Sequence, residues 1–68
     1  MNNYDPIKHI DLLNDIAKHE HNLHLANTVL ENMRVCNEDV DKRLKMEKVI
    51  KRINDKIFLL ELELNRIL

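Results

Sequence analysis

Four histidines are the residues whose type and spacing first suggest chemistry. Imidazole binds transition metals and exchanges protons near neutral pH, so the cluster of His19, His21 and His24, with His9 upstream, is a candidate site. Two metal ligands on one helix must lie three or four residues apart, and only His21 and His24 among the histidines have that spacing. The Glu-x-x-His motif that ferritin-like bundles use for iron does not occur. The sequence therefore predicts no metal site and no bound cofactor.

The single cysteine and the lack of glycine argue against most enzymes. A cysteine nucleophile needs a base within reach, and no histidine lies near Cys36 in the sequence. The chain has no Gly, which phosphate-binding loops and dinucleotide-binding turns require. Two helices alone also offer little concave space in which to desolvate a general acid. We therefore expect no catalytic residue, with Cys36 acting as a small apolar side chain.

A basic stretch covers residues 42–56, with seven basic residues against Glu47 and Asp55. Because most of its charges face outward on a helix, the first interpretation is a solvated face or a face for an acidic protein partner. The alternative is a nucleic-acid interface. No aromatic residue interleaves with the charges to stack on bases, and the whole chain carries a net charge of −1, which disfavours that alternative. The candidate residues of this basic face are Lys42, Lys45, Lys48, Lys51, Arg52 and Lys56.

A first helix is predicted over about residues 6–35. Asp5 is a good N-cap, and Pro6 then occupies the first helical position, where its missing N–H costs nothing. A series of mostly apolar residues follows in alternating steps of three and four, which is the heptad spacing of a helix packed along one seam. Its members are His9, Leu12, Ile16, His19, Leu23, Ala26, Leu30 and Met33.

A second helix is predicted over about residues 39–67, after a turn at about 36–38. Its heptad series is Met46, Ile50, Ile53, Ile57, Leu60, Leu64 and Ile67. Val40 and Leu44 lie off this series, so the seam is predicted to shift near the turn. So short a connection favours two antiparallel helices. The alternative is one continuous helix of about 60 residues, since neither Gly nor Pro interrupts residues 35–40.

The apolar residues outside the two series are the most informative feature. Eight of the last twelve residues are apolar, which is more than one seam can bury. In an antiparallel hairpin the first and last residues meet at the end opposite the turn, so the surplus collects there. It predicts a homodimer that forms a four-helix bundle, or a groove that binds a partner helix. The predicted interface residues, called here the open-end surface, are Ile7, Ile10, Leu13, Phe58, Leu59 and Leu62.

Length and composition limit the class of protein further. Sixty-eight residues make one small domain at most. A lone cysteine favours a reducing, cytoplasmic location. Asp5, Asp11 and Asp15 interrupt the region where a signal peptide would be apolar, and no run approaches the length of a membrane span. No membrane contact is expected.

The sequence therefore predicts an all-α, coiled-coil-like helical hairpin that self-associates. In outline this is similar to the small dimeric hairpin proteins, which include plasmid RNA-binding regulators, although no motif is shared with them. The favoured function is a non-enzymatic protein–protein interaction module: an adaptor, inhibitor or regulatory subunit of the kind common in phages and mobile elements. The alternatives are a dimeric nucleic-acid-binding regulator that uses the basic face and a structural coiled-coil piece of a larger complex.

Overall fold

The computed structural model describes residues 4–37 and 39–68, which form two packed helices. Helix α1 spans Pro6–Val35 and helix α2 spans Val40–Ile67. They lie side by side in a rod of 57 × 14 × 10 Å, and the described residues contain no strand. The predicted all-helical hairpin is confirmed, and the alternative of one continuous helix is wrong. Residue 38 of the predicted turn lies outside the described residues.

Both helices begin at an aspartate cap. The Asp5 carboxylate accepts hydrogen bonds from the backbone N–H groups of Ile7, at 3.0 Å, and Lys8, at 3.3 Å. Pro6 follows at the first helical position. The Asp39 carboxylate accepts from the N–H of Asp41 at 3.1 Å. These carboxylates satisfy N–H groups that have no partner inside the helix, so the caps fix where each helix starts.

The chain leaves α1 through a left-handed residue. The Cys36 N–H still donates to the Asn32 carbonyl at 2.9 Å, but Asn37 has φ of 59° and its N–H donates to the Arg34 carbonyl at 3.3 Å. Asparagine tolerates this conformation better than other residues with a side chain, because its short polar side chain can hydrogen-bond locally. Asn37 therefore ends α1 without the glycine that usually takes this role.

The core is one seam between the two helices. Every member of both heptad series is buried or half-buried. The buried residues, each with 6–9% of its surface exposed, are Leu12, Ile16, Ala26, Leu30, Ile57 and Leu60. His9 and His19 occupy half-buried seam positions in α1. The largest packed cluster, Leu12 and Ile16 against Leu60 with Leu64 and Ile67 beside them, lies toward the open end.

The predicted shift of the seam near the turn is wrong. Val40 and Leu44 are exposed, whereas Arg43 is half-buried and continues the α2 series three residues before Met46. A long arginine side chain can bury its methylene stem on the seam, so a charged residue occupies the position where an apolar one is expected. The Arg43 Nε is buried and has no hydrogen-bond partner among the described residues.

Two ion pairs between the helices define the two broad sides of the rod. Lys8 Nζ lies 3.3 Å from Glu63 Oε1 near the open end, and an Arg34 guanidinium nitrogen lies 3.8 Å from Glu47 Oε1 near the turn. Both pairs are about half exposed, so each adds little stability. The Arg34–Glu47 pair marks what we call the first broad side, and the Lys8–Glu63 pair marks the second.

Candidate functional site

All six residues of the open-end surface are exposed, with relative exposures from 41% to 71%. The antiparallel hairpin places them at the end of the rod opposite the turn. Large apolar side chains are common singly on protein surfaces, but six of them at one end of so small a protein are unusual. The six do not face one way. Five of them form two stripes on different helices, and Ile7 lies by itself on the side of α1 opposite the seam, about 170° from the middle of the seam.

The first stripe lies on α1 and faces the first broad side. Leu13 lies three heptads before Arg34, so it shares the side that the Arg34–Glu47 pair marks. Ile10 lies one turn before Leu13, and Leu68 lies three heptads after Glu47 on the same side. Leu68 is 71% exposed. An apolar patch shared by both helices therefore opens on this broad side.

The second stripe lies on α2 and faces away from α1. At 100° per residue, Leu62 points about 170° from the middle of the seam formed by Ile57 and Leu60. Phe58 and Leu59 flank Leu62 on the preceding turn, and both are exposed. The last half of α2 is thus apolar on its seam side and again on its opposite side. We call the side of α2 opposite the seam its outer edge.

The total surface area is larger than that of a compact protein of the same mass. The accessible surface is 5559 Å². A compact monomer of 8.2 kDa exposes about 4,500 Å². The excess of about 1,000 Å² is close to the roughly 800 Å² that one partner contributes to a standard protein–protein interface.

Further exposed apolar residues were not identified from the sequence. Val29 lies three heptads after Lys8, and Val49 lies two heptads before Glu63. Both therefore face the second broad side, and Leu25 lies one turn before Val29 on α1. Near the turn, Val35, Val40 and Leu44 are exposed as well. Each is recognisable only once the seam is fixed, because it is then an apolar residue outside a complete heptad series.

The basic face divides between two surfaces. Its six residues are all exposed. Lys42 and Lys56 are spaced by heptads from Glu63 and so lie on the second broad side. The other four, Lys45, Lys48, Lys51 and Arg52, lie on the outer edge of α2 and make no ion pair with any described residue. These four cations therefore do not pair with acidic residues of α1 within the described part of the hairpin, although such pairing would have explained their abundance on α2.

The histidines serve local structure. His19 Nδ1–H donates to the Asp15 carbonyl, with 2.7 Å between the two atoms. His9 shares a hydrogen bond through its Nδ1 with the Tyr4 hydroxyl, and the two rings meet edge to face. His21 and His24 are exposed. Within residues 4–37 and 39–68, no three His, Cys, Asp or Glu side chains lie close enough together to hold a metal ion.

The exposed thiol of Cys36 borders a shallow concavity of about 200 Å³. Val29, Asn32 and Met33 form the rest of its lining. Pockets that bind small molecules measure about 300–1,000 Å³ and bring several polar groups together. This concavity has one amide side chain and one thiol on an apolar wall, so it lacks the features of a substrate site.

Neither helix, over the residues described, has a stretch long and apolar enough to cross a membrane. Comparison of the chain with protein-family models, with curated proteins and with solved structures finds no match. No residue of this chain therefore inherits a role from a relative.

Proposed function

We propose that this protein is a non-enzymatic interaction module, a small adaptor, inhibitor or regulatory subunit, that acts through its open-end surface. One observation carries the proposal: Ile7, Ile10, Leu13, Phe58, Leu59 and Leu62 are all exposed at the end of the rod where the seam is already packed. Burying such a surface is the main driving force for helix association in water. The lone, exposed Cys36 supports a reducing, cytoplasmic setting.

The first partner in this proposal is a second copy of the chain. Two hairpins that pack first broad side to first broad side, with their open ends together, form a four-helix bundle. This arrangement covers Ile10, Leu13 and Leu68 of both copies, and the excess surface matches the share of a standard interface. Between this apolar patch and the Arg34–Glu47 pair, the same side carries four exposed polar residues, Glu20, Asn27, Asn54 and Glu61.

Sedimentation equilibrium with two matched leucine variants tests this proposal. Leu13 and Leu25 are exposed to similar degrees on α1, 46% and 49%, but lie on opposite broad sides. We expect Leu13→Glu to shift the protein from dimer to monomer at micromolar concentration, because the charge would be buried in the interface. Leu25→Glu should leave the dimer intact. Equal association of wild type and Leu13→Glu would contradict the proposal.

A nucleic-acid-binding regulator is the second candidate. The observation that favours it is the set of four cations on the outer edge of α2 that make no ion pair within the described chain. Such binding would fall steeply with salt, since each neutralised phosphate releases a counterion. A titration of an RNA or DNA oligonucleotide at 50 and 200 mM salt tests it. No binding at 50 mM salt would remove this candidate.

A further inference from the structure

The outer edge of α2 is one continuous surface with two chemically different halves. Its N-terminal half carries Lys45, Lys48, Lys51 and Arg52, all exposed. Its C-terminal half carries Phe58, Leu59 and Leu62, also exposed. Asp55 marks the boundary between the halves. From residue 45 to residue 62 this surface extends about 26 Å, which is the length of a helix of about five turns.

We infer that the outer edge of α2 is the docking site for an amphipathic helix of another protein that is acidic at one end and apolar at the other. The inference rests on the proposed function, for which it names the chemistry of a partner. Phe58, Leu59 and Leu62 recur at the spacing that receives the apolar face of a helix. The four cations can pair with carboxylates on the other half of the same partner helix. This charge complementarity determines the orientation in which the partner helix binds.

A second copy of the chain does not fit this edge. If two outer edges pack in parallel, Lys48 meets Lys48 and the basic halves repel. If they pack antiparallel, the basic half of each copy covers the apolar half of the other, which buries cations without partners. Packing the outer edge of α2 against α1 of another copy uses different surfaces on the two copies, which gives a ring or an open chain of molecules rather than a two-fold dimer.

The test uses a synthetic helix-forming peptide of 20 residues, with leucines on one face of its first half and glutamates on the same face of its second half. The control peptide carries lysines in place of the glutamates. Fluorescence anisotropy with the full chain should show at least tenfold tighter binding of the acidic peptide. The double variant Lys48→Glu/Arg52→Glu should bind the lysine peptide more tightly than the acidic one, because the new glutamates can pair with the lysines of that peptide.

Two further variants separate the apolar and basic contributions. Leu62→Asp should lower the affinity for the acidic peptide at least tenfold. Lys18→Glu, a charge reversal on α1, should change that affinity less than twofold. Circular dichroism should show that each variant stays helical, since Leu62, Lys48, Arg52 and Lys18 are all exposed. A variant that loses helicity is replaced by Leu62→Asn or Lys48→Gln/Arg52→Gln, for which the same direction of change is expected.

Three results would overturn the inference. One is equal binding of the acidic and lysine peptides. Another is tighter binding of an oligonucleotide than of the acidic peptide. If that binding is lost in Lys48→Glu/Arg52→Glu but kept in Leu62→Asp, the outer edge of α2 binds nucleic acid. The third is a Leu62→Asp variant that loses self-association while peptide binding is absent throughout, which assigns the edge to a second copy. None of these results decides whether Leu13 lies in the dimer interface, because the sedimentation experiment tests that independently.

Discussion

At the scale of single residues, three polar side chains, His9, His19 and Arg43, occupy half-buried positions on an otherwise apolar seam, and the last two are the clearest targets. His19 is half-buried and uses its Nδ1–H on the carbonyl of Asp15, one turn earlier in its own helix. Arg43 is half-buried near the turn, where its Nε lacks a hydrogen-bond partner among the described residues. Both reduce the apolar area that the seam buries, so both are sites where stability can be gained.

Replacing His19 with leucine should stabilise the hairpin. The leucine would fill a heptad position with apolar surface and should add about 1 kcal/mol to the free energy of unfolding. For a domain of this size that corresponds to a rise in melting temperature of about 4–8 °C. The control is His21→Leu, which changes an exposed histidine two residues away and should leave the melting temperature within about 2 °C. Equal melting temperatures for the two variants would place His19 outside the seam.

Replacing Arg43 with methionine should also stabilise the fold. The change keeps a long flexible side chain on the seam and removes a buried donor that has no partner, for a gain of about 1 kcal/mol in urea unfolding. Lys45→Met, at an exposed position two residues later, provides the control and should give no gain. Destabilisation by Arg43→Met would show that the guanidinium makes a contact that is worth more than its desolvation.

At the scale of the helices, the seam and the outer edge of α2 can be separated by two adjacent leucines. Leu60 is 6% exposed on the seam, and Leu59 is 59% exposed on the outer edge. Leu60→Glu would bury a charge without a partner and should cost at least about 3 kcal/mol, enough to abolish the helical signal in circular dichroism. Leu59→Glu should keep that signal. If both variants remain helical, the pairing of α1 and α2 differs from the one described.

The helices themselves could be predicted from local chemistry. Asp5 with Pro6 marks the start of α1, and the alternating steps of three and four residues identify which side of each helix is buried. The end of α1 at about residue 35 is also predicted, but the sequence leaves one continuous helix open, because no Gly or Pro interrupts this region and the left-handed Asn37 carries no distinct signal. Arg43 was missed because its charge suggested an outward position, while its stem packs on the seam.

The position of the open-end surface along the rod could be predicted from the sequence, but the side that each of its residues faces could not. Antiparallel helices bring the surplus apolar residues to the open end whatever the details of packing. The side each residue faces depends on the angle between its position and the seam, which separates Leu13 on the first broad side from Leu62 on the outer edge of α2. Leu25, Val29 and Val49 were overlooked because isolated apolar residues carry no signal before the seam is known.

At the scale of the whole molecule, the rod exposes more surface than a compact protein of its mass. A two-helix rod has no interior beyond its one seam, and among the described residues only six hydrophobic side chains are buried. Chains this small usually need a metal, a disulfide or a partner to be stable. Cys36 is a free thiol, and we propose that a partner covering the open-end surface supplies this stability instead.

The melting temperature as a function of protein concentration tests this claim most directly. If Ile10, Leu13 and Leu68 on the first broad side are buried against a second copy, association and folding are linked, and the melting temperature must rise with concentration. We predict a steady increase of at least about 5 °C between 1 and 500 μM, followed by circular dichroism at neutral pH. A melting temperature that stays constant over this range, with a compact monomer in sedimentation at 500 μM, would contradict the account.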